Sequence, residues 1–421
     1  MTPDPRAGPG TLAGADPFTD PITGPLAEAA ATVFARLGGT LVDPPTLIDA
    51  DIPLDLSGEA VRSRLCVFTD ARGRDIALRP DLTLPIALAE AQARKAGETG
   101  ERVCRYVARA FRLPAAEGFD TEFTQVGFER YGAPSGVDAD IETFAAVLEA
   151  AQTSAPDLDK ALLGDLAVFP AVVDAVTDDP VTADSLKRRF RQGATIGLEG
   201  LEDAPSDQMA SASVPSASLA DVIATAEPAQ AEALVREMLT LAGVEPVGAR
   251  GLDEIVERLM AKSANARFRG VSAASRGLLR DVLGMAGPAR KTADALAKTV
   301  KSAGLDGLDP VLDRLSRRLD ALADGTKGLP LHFGAGFGRR FTYYDGFLFE
   351  LFATGESPLA PLAAGGRYDR LIADLSDGAA DVTAIGGVVR PDRMALASQT
   401  PAADKADKAG KPSKAGGRPR R

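Results

Sequence analysis

Histidine, cysteine and tryptophan are scarce in this chain, and their scarcity limits the chemistry that it can perform. It contains one His, two Cys and no Trp among 421 residues. The single histidine, His332, lies between Leu331 and Phe333 and is predicted to be a strand residue rather than a catalytic one. Cys66 and Cys104 are too few for a disulfide framework or a cysteine-based zinc site, so we expect a cytoplasmic protein. The sequence predicts no metal and no cofactor.

The chain also lacks an excess of positive charge and long apolar runs. It carries 48 Lys and Arg against 59 Asp and Glu, a formal net charge of −11. An acidic body is a poor match for a polyphosphate backbone, so extensive binding of tRNA or DNA is not expected. No stretch supplies about 18 consecutive apolar residues, and no basic start is followed by an apolar run. We therefore expect neither a membrane span nor a signal peptide.

The pattern of apolar residues divides the chain into a mixed core and a helical part. Helical spacing from Pro25 to Leu37 and from Leu82 to Ala96 alternates with strand-like runs. Between residues 156 and 327 helical spacing recurs and aromatic residues almost vanish, whereas strand-like alternation returns at Pro330 to Phe352. We predict an α+β fold with a disordered N-terminus at 1–19, a core formed by 20–155 and 328–398, a helical insertion at 156–327 and a disordered basic tail at 399–421.

Four polar clusters interrupt strand-like segments that are otherwise apolar. They are Arg79–Thr83, Arg112, Glu122–Glu129 and Arg339–Gly346. Gln125 and Glu129 are four residues apart, so on a strand both side chains lie on the same face. An amino acid ligand needs acceptors for its ammonium, donors for its carboxylate and a shaped site for its side chain, and the clusters contain each kind. Any one cluster alone is more often a solvated or paired surface group than a site.

In this order the clusters resemble the catalytic core of class II aminoacyl-tRNA synthetases, and within that class histidyl-tRNA synthetase. Leu78–Thr83 is similar to that family's Leu-Arg-Pro-Glu-Gly-Thr segment, and Thr121–Glu129 to its Arg-Glu-Phe-x-Gln-x-x-x-Glu strand. Arg339–Gly346 is similar to Arg-Gly-Leu-Asp-Tyr-Tyr-Thr-Gly, and Ala364–Leu371 to Gly-Gly-Gly-Arg-Tyr-Asp-Gly-Leu. The resemblance implies a class II core with an antiparallel sheet flanked by helices.

The resemblance also implies a histidine site. Three side chains would hold the ammonium of histidine, and an acid and a tyrosine would contact its imidazole; in order these are Asp81, Thr83, Gln125, Glu129 and Tyr344. Arg339 and Tyr343 would line the rest of the pocket. Arg112 corresponds to the motif 2 arginine, which contacts the activated carboxylate and the ATP phosphate, and Pro45 would mark the dimer interface.

Several residues depart from the synthetase pattern. Asp81 is one methylene shorter than the family Glu, and Asp345 replaces a small residue beside the tyrosines. Arg390 and Pro391 stand at the position of motif 3 where synthetases have Gly and an apolar residue, and are expected to disturb the backbone behind the adenine site. Histidyl-tRNA synthetases continue with an anticodon-reading domain, whereas only residues 399–421 follow the core here, too few to fold as a domain.

An acidic synthetase core with an altered adenine site and no anticodon domain resembles the regulatory subunits of ATP phosphoribosyltransferase. That resemblance implies a non-catalytic chain that binds histidine as an allosteric ligand. It would form a homodimer through the class II core and a hetero-oligomer with the short-form catalytic subunit. It would be required for activity and for feedback inhibition in the first step of L-histidine biosynthesis.

Two alternatives stay open. Retention of Arg112, Arg339 and Arg393 is compatible with a divergent histidine-activating or aminoacyl-transferring enzyme, which would exchange pyrophosphate into ATP in the presence of histidine. A scaffold with an inactive pocket would bind no histidine.

Overall fold

The computed structural model describes ten stretches of the chain. These are residues 24–57, 62–114, 121–134, 136–154, 158–191, 228–241, 271–326, 328–338, 343–353 and 361–399. The predictions for residues 1–19, for the tail beyond residue 399, for a helix at Leu252–Met260 and for Arg339 lie outside these stretches.

The helices of the described stretches include those that the sequence predicts most clearly. In chain order they are α1 (Pro25–Ala35), α2 (Asp51–Ser57), α3 (Thr83–Lys95), α4 (Val137–Ser154), α5 (Val168–Val176), α6 (Pro180–Arg191), α7 (Pro228–Leu241), α8 (Ala273–Gly284), α9 (Ala289–Ser302), α10 (Asp309–Gly325), α11 (Asp369–Leu375) and α12 (Pro391–Gln399). Helix α1 begins at a proline, which suits the first turn because its missing N–H would have no partner there. No helix in these stretches is long and apolar enough to cross a membrane.

The strands form one large and one small sheet within the described residues. They are β1 (Thr40–Leu41), β2 (Leu47–Asp49), β3 (Val67–Thr69), β4 (Asp75–Leu78), β5 (Arg102–Phe111), β6 (Glu122–Tyr131), β7 (Leu158–Asp165), β8 (Ala286–Pro288), β9 (Leu331–Gly334), β10 (Phe347–Ala353), β11 (Ala363–Arg367) and β12 (Ala384–Val389). The large sheet has nine strands in the order β1-β5-β6-β12-β11-β10-β7-β9-β8, and the small one has the order β2-β4-β3. Neighbours are antiparallel except β1–β5 and β7–β9. This is the α+β arrangement that the sequence predicts.

Strand β6 separates two apolar layers because its side chains alternate between them. Val126 and Phe128 point into a core shared with α1 and α4. Phe123 and Tyr131 point into a second core shared with α3 and α11 on the other face. Since Gln125 and Glu129 have the same parity as Phe123, they lie on this second face. Period two therefore places both candidate side chains under helix α3.

Strand β7 differs from the sequence prediction, which assigned every residue from 156 onward to a helical insertion. Its residues Leu158 to Asp165 pair antiparallel with β10 and parallel with β9, so β7 lies inside the large sheet. The segment Ala161–Leu163 is composed of good helix formers, and pairing on both sides overrides that local preference.

Helices α8, α9 and α10 pack onto the same core as the sheet. Leu279, Leu296 and Leu319 are buried in the cluster that also contains Phe333 of β9 and Phe349 of β10. Strand β8 joins the sheet edge beside β9. Helices α8, α9 and α10 are thus continuous with the core in their packing, while the definition of the segment 156–327 as a separate insertion stays a prediction.

Candidate functional site

Four chain segments converge on the buried carboxylate of Glu129 in strand β6. They are the β4–α3 junction with Asp81 and Thr83, strand β5 with Tyr106, the residues before β10 with Tyr343 and Tyr344, and the β11–α11 junction with Tyr368. We call these side chains, together with Gln125 and Glu129, the Glu129 cluster. Because the segments are far apart in sequence, only the folded sheet brings them together.

Glu129 accepts hydrogen bonds from three hydroxyl groups. Thr83 Oγ1 donates to Glu129 Oε1 over 2.7 Å, Tyr106 Oη donates to the same oxygen over 3.1 Å, and Tyr368 Oη donates to Oε2. Glu129 is 1% exposed, and no Lys or Arg of the described residues forms an ion pair with it. Burial raises the pKa of Glu129 to about 7, although the hydroxyl hydrogen bonds lower it. The carboxylate is thus buried without a Lys or Arg partner among the residues that the structure describes.

All five tyrosines of the chain lie at this carboxylate or beside it. Ring centroids are 5.0 Å apart for Tyr343 and Tyr344, and the two rings lie 6.1 and 6.2 Å from Tyr368. Tyr131 lies 6.4 Å from Tyr368 on its other side. Burial raises the pKa of Tyr106 and Tyr368 well above the usual value, so both hydroxyls stay protonated and act as hydrogen-bond donors. With five Tyr in 421 residues, this clustering is not a composition effect.

Glycines leave the space that the Glu129 cluster occupies. Gly386 of β12 is directly opposite Glu129 in the sheet. A Cβ atom at Gly386 would lie 1.8 Å from Glu129 Oε2, and one at Gly127 would lie 2.5 Å from Tyr106 Oη. A Cβ atom at Gly366 would lie 2.9 Å from the Tyr344 ring. Side chains at these glycines would displace the carboxylate or its hydroxyl donors.

Asp81 is the second carboxylate of the Glu129 cluster. Its Oδ1 accepts from the Leu84 backbone N–H over 3.0 Å, and its Oδ2 accepts from Tyr343 Oη over 3.3 Å. Arg112 Nη2 lies 3.6 Å from the same Oδ2. Gln125 Oε1 accepts from the backbone N–H of Leu82 over 3.2 Å, which ties β6 to the start of α3.

Phe123 is covered by two guanidinium groups. The Cζ atom of Arg390 lies 3.6 Å from the Phe123 ring centroid, and that of Arg112 lies 5.7 Å from it. The predicted disturbance of the backbone by Arg390 and Pro391 is wrong. Strand β12 pairs regularly on both sides up to Val389, and Pro391 forms the first turn of α12. Arg390 acts through its side chain, which Asp392 also holds by two hydrogen bonds of 2.8 and 3.1 Å.

Asp345 is turned toward helix α11. Its Oδ1 accepts from the Asp369 N–H over 3.1 Å and its Oδ2 from the Arg370 N–H over 2.7 Å. These bonds satisfy two N–H groups of the first helical turn, which have no partner within the helix. Burial raises the pKa of Asp345 to about 6. The carboxylate therefore caps a helix next to the tyrosines.

The structure brings seven of the eight sequence-predicted site residues together. They are Asp81, Thr83, Arg112, Gln125, Glu129, Tyr343 and Tyr344. Sequence reasoning missed Tyr106 and Tyr368, the two tyrosines that donate to Glu129. The rarity of tyrosine in this chain is a signal that could have pointed to both residues. Tyr368 in addition stands in the segment that resembles the synthetases.

Comparison with known proteins shows the family to which the chain belongs. A protein-family model described as histidyl-tRNA synthetase matches residues 24–233 and 231–394. A protein named ATP phosphoribosyltransferase regulatory subunit from Chelativorans sp. (strain BNC1) is 31% identical over 344 residues, or 81% of this chain and 88% of the relative. The chain belongs to the ATP phosphoribosyltransferase regulatory subunit family. As the sequence predicts, this family has the framework of a histidyl-tRNA synthetase.

Solved structures of other proteins are similar in fold to this member of the regulatory-subunit family. An ATP phosphoribosyltransferase regulatory subunit/histidyl-tRNA synthetase from Bacillus halodurans C matches 93% of this chain and 85% of its own, with a TM-score of 0.59 and 18% identity. A histidine–tRNA ligase subunit from Alicyclobacillus acidocaldarius matches 95% and 98%, with a TM-score of 0.51 and 21% identity. The class II synthetase-like fold is therefore shown.

Proposed function

We propose that this chain is a non-catalytic regulatory subunit of ATP phosphoribosyltransferase that binds histidine at the Glu129 cluster. Together with a short-form catalytic subunit it would support the first step of L-histidine biosynthesis in the cytoplasm, and histidine would inhibit that step through it. The observation that carries the proposal is a buried carboxylate that pairs with no Lys or Arg of the described stretches and is surrounded by hydroxyl groups, in a member of this family.

The cluster has the chemistry that histidine needs. A buried acceptor without a counter-ion favours a ligand that brings an N–H donor or a positive charge, and an imidazole supplies either one. Glu129 and Tyr344 would contact that ring. Asp81, Thr83 and Gln125 would hold the ammonium at the opening of α3.

The remaining predicted residues would complete the pocket. Tyr343, which already donates to Asp81, would line its wall together with Arg339. Arg112 would face the carboxylate of histidine, since it is the cation nearest to Asp81 in the described residues.

The environment of Phe123 supports the absence of catalysis. An exposed ring beside an arginine can stack a nucleotide base, but here the guanidinium of Arg390 already lies against that ring. Arg112 donates its Nε–H to the Pro80 carbonyl over 2.6 Å, so its fork is only partly available to a phosphate. The rival reading, a histidine-activating enzyme, requires ATP to displace Arg390 from Phe123.

Exposed apolar side chains support a homodimer through the class II core. Leu41 of β1 is 62% exposed, and Leu47 of β2 and Phe68 of β3 are 52% and 47% exposed. They lie on short strands at sheet edges close to Pro45, the residue that marks the dimer interface by resemblance. Dimer burial would remove this surface from water and protect the strand edges. The hetero-oligomer with the catalytic subunit would build on that dimer.

The direct test is phosphoribosyl transfer to ATP by the short catalytic subunit of the same organism. We expect this chain to stimulate the reaction and histidine to reverse the stimulation. Glu129→Ala should blunt the reversal but leave the stimulation, whereas Asp377→Ala, which removes an exposed ion pair with Lys95, should leave both intact. No stimulation and no complex would refute the regulatory role.

Two further measurements separate the alternatives. Histidine-dependent exchange of pyrophosphate into ATP would support the activating enzyme and contradict a non-catalytic chain. The absence of heat exchange with histidine in isothermal titration would support a scaffold with an inactive pocket.

A further inference from the structure

Four buried charged side chains and one half-buried one form an ionic network that ends at the Glu129 cluster. In spatial order they are Asp165, Arg318, Asp140, Arg367 and Asp369. Arg318 Nη1 lies 2.7 Å from Asp165 Oδ2, and Arg318 Nη2 lies 2.7 Å from Asp140 Oδ2. Arg367 Nη2 lies 2.8 Å from the other oxygen of Asp140, and Arg367 Nη1 lies 3.1 Å from Asp369 Oδ1. Arg318, Asp140 and Arg367 are thus each held by two charged partners.

The network joins elements that are far apart in the chain. Arg318 lies on α10, Asp140 in the first turn of α4, and Asp165 at the end of β7. The guanidinium of Arg318 also lies 4.8 Å from the ring centroid of Phe347. Four of the five side chains are less than 10% exposed, and the Asp140 carboxylate is 1% exposed. Dissolved salt therefore screens these pairs much less than it screens ion pairs at the protein surface.

The inner end of the network holds both tyrosine segments of the cluster. The Asp345 N–H donates to the Arg367 carbonyl over 3.1 Å, which anchors the residue after Tyr344. Tyr368, whose hydroxyl donates to Glu129, directly follows Arg367. Asp369 then donates its N–H to Asp345 Oδ1 over 3.1 Å. A shift of Arg367 would move the tyrosines on both sides of the carboxylate.

We propose that Arg318 is a positioning residue for the Glu129 cluster and that the ionic network couples the placement of helix α10 to ligand binding there. The inference rests on the proposed function in taking histidine as the ligand. A buried network of paired charges has few arrangements of low energy, because a partner that moves away leaves an uncompensated charge. Helix α10 and the tyrosines therefore move together or not at all. If assembly with another subunit displaces α10, the affinity of the Glu129 cluster for histidine therefore changes as well.

The experiment uses the full chain and two variants of the network. Arg318→Met removes the ion pairs that join α10 to Asp165 and to Asp140. Asp165→Asn keeps the acceptor that holds the Ala167 N–H at 3.0 Å, but turns an amide toward Arg318, and it serves if Arg318→Met does not fold. The matched control is Arg290→Met, which breaks an exposed pair between α9 and Asp320 of α10.

Two readouts follow the cluster itself. Because the chain has no Trp and all five Tyr lie at the cluster, tyrosine fluorescence reports on the cluster without interference. Isothermal titration gives the histidine affinity. We expect Arg318→Met and Asp165→Asn to change the tyrosine emission of the free chain and to lower the affinity roughly two- to thirtyfold, the range typical of residues that modulate coupling. The control should match the wild type in both.

A double-mutant cycle with Tyr368→Phe adds a test of coupling. If Arg318 acts through Tyr368, the affinity loss of the double variant is smaller than the product of the two single losses. A purely structural network would lower the melting temperature but leave emission and affinity at wild-type values, and that result would overturn the proposal. If the wild type binds no histidine, the proposed function fails, while the emission of the unliganded variants still decides the role of Arg318.

Discussion

Replacing Glu129 by Gln isolates the effect of its charge from that of its hydrogen bonds. Gln has the same shape, its oxygen can accept from Thr83 and Tyr106, and its amide can donate to the hydroxyl of Tyr368. The negative charge is lost and Tyr368 changes from donor to acceptor, while the hydrogen bonds from Thr83 and Tyr106 can persist. Because burying that charge costs free energy, we expect Glu129→Gln to stabilise the unliganded chain above neutral pH.

The pKa shift sets the size and sign of the effect. The pKa of Glu129 is about 7 in the folded chain against the usual glutamate value of 4.5. A raised carboxyl pKa means that the folded state binds more protons, so its penalty is absent below pH 4.5, grows as the pH rises and is complete above pH 7. This amounts to about 3 kcal/mol at pH 8 and about 1 kcal/mol at pH 5. The advantage of the variant over the wild type should therefore grow by about 2 kcal/mol between these pH values.

Urea unfolding followed by circular dichroism at pH 5 and pH 8 measures this difference. Glu90→Gln is the control, because Glu90 is equally buried but pairs with Arg94 at 2.6 Å and Arg102 at 3.0 Å. Its neutralisation leaves the buried Arg94 without its carboxylate partner and Arg102 with Glu98 alone, and should lower the free energy of unfolding at pH 8. The reasoning would be refuted if Glu129→Gln were less stable than the wild type at pH 8. It would also be refuted if the stability difference between the two proteins were the same at pH 5 and pH 8.

The same substitution should weaken histidine binding. A hydrogen bond to a charged group contributes about 1.5–3 kcal/mol, so its loss lowers the affinity by roughly 10- to 150-fold. Isothermal titration at pH 8 measures this. Higher stability together with weaker binding would identify Glu129 as a residue kept for ligand binding at a cost in stability. Unchanged affinity would place the ligand elsewhere.

Three more substitutions test the surroundings of the cluster. Gly386→Ala places a methyl group on the carboxylate that faces it, so we expect a loss of about 1–3 kcal/mol in urea unfolding and weaker histidine binding, whereas Gly277→Ala, with open space around it, should be tolerated. Arg390→Ala uncovers Phe123 and should cost about 1 kcal/mol in thermal unfolding; no change would remove the stacking argument. Arg367→Lys keeps the charge but loses the bidentate fork, and should lower the free energy of unfolding by about 2 kcal/mol, a claim that wild-type stability would contradict.

The parts of the fold and site that sequence could predict depend on local regularities. The helices near Pro25 and Leu82 and the shared face of Gln125 and Glu129 follow from periods of 3.6 and two residues, which need no knowledge of distant partners. The order of the polar clusters indicated the family, because several short segments in a fixed order along the chain can be compared between proteins without a structure. The comparison at 31% identity agrees with that reading.

Tertiary structure alone decided which side chains meet. Tyr368 reaches Glu129 across 239 positions of sequence, and Arg318 reaches Asp140 across 178; both contacts depend on strand register and helix placement. The strand β7 forms from helix-prone residues because β9 and β10 pair with it, and Arg390 lies on Phe123 without disturbing its backbone. Local sequence determines which face a residue occupies, whereas the partner on that face is set by the packing of segments distant in the chain.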